Sequence, residues 1–348
     1  MDKIDPDRLS RAVNVLDRGL REGAAPGGVV CAMRGGEIVL HQAFGTLDGE
    51  QPTGLTTRYD LASLTKPMAT GATILSLVED GILSLQTQVS DIDPKLQPLA
   101  GVTVGHLLTH TSGLPAWAPL YENGTGKDAA LGGILALPRV EPGSRYAYSC
   151  LGFILLARLI ETVTGQTLDG AVHERVLQPL HLERTGYLPA PDADSPIAPT
   201  VSEEGPNHDA VLTGMVHDGN ARGIGGVSGN AGLFGTAEDV ATFGEAVRVG
   251  RYFSAPTRAR ILTTQTDPAV GSHSLLFFAR GNPLCPVGDL LSPRAVGHSG
   301  FTGTALVIDP EYDLTVAVLT NAVFHGGKSR WLRLRRHFLN SLAASLTG

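Results

Sequence analysis

The segment Asp60 to Thr70, DLASLTKPMAT, places Ser63 and Lys66 three residues apart. Serine is a poor nucleophile near neutral pH and needs a base within hydrogen-bond reach. Residues i and i+3 of a helix share a face, so a helix opening at Ser63 would set the Lys66 amine beside the Ser63 hydroxyl. The unpaired N–H groups and positive dipole end of that helix start would favour negative charge developing there. Pro67, which has no N–H to donate, is tolerated near a helix start and agrees with this placement. The plain alternative is a capping serine and a solvated lysine. With nineteen serines and five lysines in the chain, a chance Ser-x-x-Lys is common, so the pair needs partners.

Two partners are visible. In SRYAYSCLGFILL, Tyr148 stands just before an apolar helical run. A phenol against a lysine ammonium can have its pKa lowered and share a proton with it, so the two could act as one base; packing at a helix start is the plain alternative. In AVGHSGFTGTALVID, a polar and glycine-rich strand entry runs from Gly297 to Thr304. Gly300 and Gly303 there would let a ligand approach the backbone closely, or would simply mark a bulge.

These residues must be positioned by elements that the patterning predicts. The amino-terminal stretch, with Asp5 and Asp7 ahead of an apolar stripe at Leu9, Val13, Leu16 and Leu20, predicts a surface helix. GGVVCAMRGGEIVLHQAFG predicts a hairpin about Gly35-Gly36. From Lys66 the pattern turns helical: PMATGATILSLVEDGIL, then TVGHLLTH, then SCLGFILLARLIETVTG with its stop at Gly165. Residues 186–235 read as a long irregular passage ending in GIGGVSGNAGLFG, after which Thr236 caps a helix. GTALVIDPEYDLTVAVLTN reads as two strands about a turn, and SRWLRLRRHFLNSLAASL as an amphipathic helix. Strands at both ends with helices between them imply an α+β fold in which the first hairpin and the last strands share one antiparallel sheet. The sheet lobe is expected over about residues 1–65 and 236–348, and an inserted, mainly helical lobe over about 66–235.

Composition narrows the partners. A formal net charge of -7 and the lack of a dominant basic tract argue against nucleic acid or an anionic membrane and suit a small-molecule substrate. No apolar run reaches transmembrane length, and the first helix lacks the features of a signal peptide. Cys31, Cys150 and Cys285 are odd in number and widely scattered, which suits reduced thiols and a cytoplasmic location. No oligomeric state can be read. The only lysines are Lys3, Lys66, Lys95, Lys127 and Lys328, the rest of the 27 basic residues being arginine, so Lys66 stands out further.

Ser-x-x-Lys, then Tyr-x-x, then His-Ser-Gly on a late strand resemble, in that order, the serine β-lactamase and penicillin-binding-protein superfamily. The likeness is to the branch that holds class C β-lactamases, D-Ala-D-Ala carboxypeptidases and family VIII carboxylesterases. GHLLTHTSGLP at 105–115, VHDGNARGIGGVSGNAGLFGTAEDV at 216–240 and GHSGFTGT at 297–304 look like that branch as well, and the resemblance runs from about residue 9 to about 345. It implies a β-lactamase/transpeptidase-like fold and a two-step acyl transfer without a cofactor or metal. Ser63 would be the acylated nucleophile, and Lys66 with Tyr148 its base. The backbone N–H groups of Ser63 and Phe301 would form the oxyanion hole, and Cys150, His298, Ser299 and Gly300 would flank the substrate.

Two departures bear on the substrate. Cys150 stands where the second motif usually has asparagine, and a thiol is a weak donor and acceptor for an acylamino group. His298 stands where the third motif usually has lysine, and histidine gives no permanent cation to hold a carboxylate. Both point away from β-lactams and D-Ala-D-Ala peptides and toward an ester or another small neutral acyl compound. The runner-up is a D-Ala-D-Ala peptidase or β-lactamase, and an alternative of another class is a non-catalytic binding or assembly protein on the same fold.

Other motifs carry less. No Gly-x-Ser-x-Gly occurs, GGKS at 326–329 lacks the P-loop's first glycine because Ala322 is there, and Ser228 breaks a dinucleotide fingerprint. His106 and His110 have metal-ligand spacing but no carboxylate to complete a site. His217-Asp218 could order the glycine-rich loop near the site or make a plain turn. Arg330, Arg333, Arg335 and Arg336 read as the solvated face of the last helix.

Overall fold

The computed structural model describes residues 4–204, 208–324 and 327–347. Helix α1 (Pro6–Arg21) starts at Asp5, whose carboxylate accepts from the amides of Asp7 and Arg8. Strands β1 (Gly27–Arg34) and β2 (Glu37–Gly45) form the expected hairpin. Its two connecting residues, Gly35 and Gly36, have φ of +56° and +87°, the left-handed pair that a tight hairpin turn needs. Helix α2 (Cys150–Thr164) is capped by the Ser149 side chain and stopped by Gly165 at φ +68°. Helix α3 (Ala237–Val249) begins at Thr236, as its cap predicts.

Four later strands complete the sheet: β3 (Phe278–Ala279), β4 (Val296–Ser299), β5 (Ala305–Asp309) and β6 (Leu314–Thr320), followed by helix α4 (Lys328–Ala343). The sheet is antiparallel in the order β2-β1-β6-β5-β4-β3, so the first hairpin and the last strands do share it. The chain has the α+β, β-lactamase/transpeptidase-like fold that the motifs implied.

Strands β1 and β6 are apolar on both faces because both faces are covered. Val30, Ala32, Val316 and Val318 pack with Leu16 of α1 and with Trp331 and Phe338 of α4. Val29, Cys31, Ala317 and Leu319 point the other way, into a larger core with Phe243 of α3 and with Leu151 and Leu155 of α2. That second core runs without a break from the sheet into the helical region.

The passage from 186 to 235 is less irregular than its composition suggested. Gly186–Tyr187 and Leu233–Gly235 join Tyr59–Asp60 in a small antiparallel sheet. This pairing fastens the glycine-rich segment to the residues just ahead of Ser63. Among the described residues, no single helix is long and apolar enough to cross a membrane.

Candidate active site

Ser63 sits on a 3-10 turn, Ala62–Leu64; Lys66 opens a π-turn, Lys66–Gly71, that continues into the α-helix Ala72–Glu79. The helix expected from Lys66 is therefore three kinds of turn in series, a departure from α geometry that marks functional sites in many helices. Ala62 has φ +46°, a conformation that residues other than glycine seldom adopt and that persists only where the surroundings hold it. Asp60 does the holding: its carboxylate accepts from the Ala62 amide at 2.8 Å and from the His217 amide at 2.6 Å. Burial raises the pKa of Asp60 to about 6 against the pull of those two amides.

Lys66 is 1% exposed. Its Nζ donates to Ser63 Oγ at 2.9 Å and to the Asn230 carbonyl at 3.0 Å. It also lies 5.1 Å from the centre of the Tyr148 ring. Burial pulls the ammonium down, but its coupling to Cys150 and Tyr148, with the charge of Asp218, outweighs that and holds Lys66 above its ordinary range. Burial likewise lifts the Tyr148 phenol, against the opposing effect of Lys66. At rest the pair is an ammonium beside a neutral phenol, with one proton to lose before either can act as a base.

His110 fixes the tyrosine. Its carbonyl accepts from the Ala147 amide at 2.9 Å and its Nδ1 from the Ser149 amide at 3.0 Å, so it grips both chain neighbours of Tyr148. His106 instead bonds within its own helix cap, its Nδ1 accepting from the Thr103 amide at 3.2 Å. The two histidines thus serve different turns, and no cluster suited to a metal ion occurs among the described residues.

The strand entry 297–304 is clipped to the nucleophile turn. Thr302 Oγ1 donates to the Asp60 carbonyl at 2.7 Å, and Thr304 Oγ1 to the Leu61 carbonyl at 3.1 Å. A Cβ at Gly300 would lie 2.5 Å from the Leu61 carbonyl oxygen and 3.2 Å from Ala62 Cβ, so the close approach that glycine permits here is made by the protein itself. Among the described residues no backbone carbonyl accepts from the Phe301 amide. The Phe301 ring is stacked on His217 at 5.4 Å, while Asp218 caps the short helix Gly219–Gly223.

A cavity of about 580 Å³ opens on these groups, lined on one side by Ser63, Tyr148, Ser299, Gly300 and Phe301. Cys150 and His298, expected to flank the substrate, are not among the lining residues. His298 is 1% exposed and stacks on Phe278 at 4.5 Å. Burial, then the charge of Lys66 and the nearby His273, holds its pKa well below the usual imidazole value, so it is neutral. The opposite wall corrects an expectation. Arg330, Arg333 and Arg336 are exposed as the solvated face predicted, but Arg335 is 7% exposed, and Arg333, Arg335 and Arg336 line the cavity together with Lys328. A helical pattern shows which residues share a face but not what that face meets. Gly326 of the GGKS segment lies outside the described residues.

The nucleophile turn, the buried lysine and the strand beside them define a serine hydrolase of the β-lactamase and penicillin-binding-protein superfamily. The profile of the beta-lactamase family matches residues 12–337, and the chain belongs to that family. An Escherichia coli K12 protein named "Putative D-alanyl-D-alanine carboxypeptidase" is 33% identical over 331 residues, covering 82% of this chain and 76% of the relative. A Bacillus subtilis strain 168 protein named N-acetylmuramyl-L-alanine amidase is 30% identical, with 90% of this chain and 81% of the relative covered. Among solved structures, EstCE1, described as a hydrolase with promiscuous acyltransferase activity, shares the fold at a TM-score of 0.80 and 24% identity, over 96% of this chain and 98% of that one. A penicillin-binding protein homologue from Caulobacter crescentus does so at 0.72 and 23% identity, over 98% and 99%.

Proposed function

We propose that the protein is a carboxylic-ester hydrolase that works through an acyl-enzyme on Ser63. The observation that carries this reading is the 2.9 Å contact between Lys66 Nζ and Ser63 Oγ, beside a cavity that Ser63 and Tyr148 both line. Ser63 Oγ attacks the ester carbonyl while its proton passes to the Lys66–Tyr148 pair, once that pair has given up one proton of its own. The Ser63 and Phe301 amides hold the oxygen that becomes negative, an arrangement worth several kcal/mol of barrier in serine hydrolases. The pair returns the proton to the departing alcohol, and a water then attacks the acyl group by the same route.

Preference for an ester over an amide rests on Cys150 and His298. The thiol that replaces the usual amide gives an acylamino substrate no strong partner, and the neutral imidazole of His298 supplies no cation at the third-motif position beside Ser299 and Gly300. Amide cleavage is the second reading, favoured by the names of the Escherichia coli and Bacillus subtilis relatives. Turnover of p-nitrophenyl butyrate is expected to exceed that of nitrocefin, and release of D-alanine from an acyl-D-alanyl-D-alanine peptide, by about 100-fold or more in kcat/KM. Faster nitrocefin or peptide turnover would overturn the ester assignment and leave the amidase.

A further inference from the structure

Arg335 is a buried cation with two of its three guanidinium nitrogens unmet. Among the described residues neither its Nε nor its Nη1 has a hydrogen-bond partner, although the side chain is 7% exposed and lines the cavity that opens on Ser63. Folded proteins seldom leave a buried guanidinium in that condition, because such donors lose water without gaining an acceptor. Burial, ahead of repulsion from Arg336, lowers its pKa only to about 10, so it is charged at neutral pH.

The surroundings sharpen the point. Lys328, Arg333 and Arg336 line the same cavity, and among the described residues no aspartate or glutamate does. In a chain with a formal net charge of -7, this is a local reversal of sign that attracts an anion into one cleft. The counter-charges are weakly placed: Asp289 meets Arg336 at 3.9 Å with both side chains more than half exposed, and Glu203 acts on Lys328. Phe278, Leu284 and Leu332 supply apolar lining to the same cavity.

We propose that the substrate is an ester whose end remote from the scissile bond carries a carboxylate, received by Arg335 and Arg336 while the ester carbonyl lies at Ser63. This rests on the ester-hydrolase reading and replaces the neutral compound anticipated from His298 with an anionic one. A planar guanidinium pairs with a carboxylate through two parallel hydrogen bonds, which would meet the donors that the fold leaves open. A hemiester of a dicarboxylic acid, with a short apolar chain between its ends, has the required chemistry.

The test compares p-nitrophenyl hydrogen adipate with p-nitrophenyl hexanoate, which have acyl chains of equal length and differ in the distal carboxylate. The full-length protein should favour the adipate by at least about tenfold in kcat/KM, as one charge-assisted pairing would supply. The advantage should shrink several-fold as sodium chloride rises to about 0.5 M. Arg335→Met should remove most of it. The ratio of the two esters is read within one preparation, so a smaller folded fraction cancels. If Arg335→Met yields no folded protein, Arg336→Gln at the exposed rim and the salt series on the unaltered protein decide. A ratio near or below one, or one unmoved by both substitutions and by salt, overturns the proposal while hexanoate turnover leaves the hydrolase reading intact. If neither ester is cleaved, the hydrolase reading fails, and calorimetry with monomethyl adipate decides the subsite alone: binding weakened by Arg336→Gln supports it, and no binding overturns it.

Discussion

Replacing Lys66 by methionine should lower kcat/KM for a p-nitrophenyl ester by about 10⁴-fold, close to the loss caused by Ser63→Ala. Methionine keeps most of the volume of a side chain that is 1% exposed, so the change removes mainly the amine. That amine is the donor 2.9 Å from Ser63 Oγ, and without it the hydroxyl loses its closest route for shedding a proton. The Asn230 carbonyl also loses its 3.0 Å partner, at a cost of about 1–3 kcal/mol in stability, so the variant's melting temperature should be measured beside its kinetics. Ser63→Ala and Lys66→Met should not add: residues acting as one unit lose nearly everything at the first substitution, and the double variant should fall near either single one. A folded Lys66→Met protein keeping about a tenth of the activity would remove lysine from the proton path.

The next largest effect belongs to Tyr148→Phe, expected to cost about 10² to 10⁴-fold in kcat/KM, the span that general-base catalysis commonly supplies. The sign of the pH dependence follows from the two shifts. Lys66 and Tyr148 are both held above their ordinary values, so at neutral pH both carry their protons and the form with one proton removed is scarce. Activity of the unaltered protein should therefore rise with pH above neutrality, by about tenfold per unit while a single proton is being lost from the pair. Tyr148→Phe should change that profile as well as lower it, whereas loss of mere packing would lower it at every pH alike. A flat profile between about pH 6 and 9 would contradict the assignment of the base.

Much of the frame could be read from residue order. The Gly35-Gly36 hairpin, the Ser149 cap and the Gly165 stop are local devices, and their chemistry acts within a few residues of itself. The Ser63–Lys66 contact was also legible, because a single helical turn sets it. The groups that hold those residues in place were not. Asp60 reaches the His217 amide 157 positions away, Lys66 reaches Asn230 across 164, and His110 grips Ser149 across 39. Each is a single polar residue whose partner is chosen by tertiary packing, and no periodicity announces it. Asp60 did offer a signal, an acid directly ahead of a predicted nucleophile turn. The strained Ala62 that it holds offered none, since alanine is ordinary in a helix start. Arg335 shows the same limit from the other side: its amphipathic pattern was correct, and the cavity that its face meets is built by strands and loops far away in sequence.

The measurement that bears most directly on this account is labelling of the full-length protein with a fluorophosphonate probe, followed by peptide mapping by mass spectrometry. The account predicts one adduct, on Ser63, with its rate of formation cut by orders of magnitude in Lys66→Met. No adduct on the folded protein, or an adduct on another serine that persists in Ser63→Ala, would contradict it.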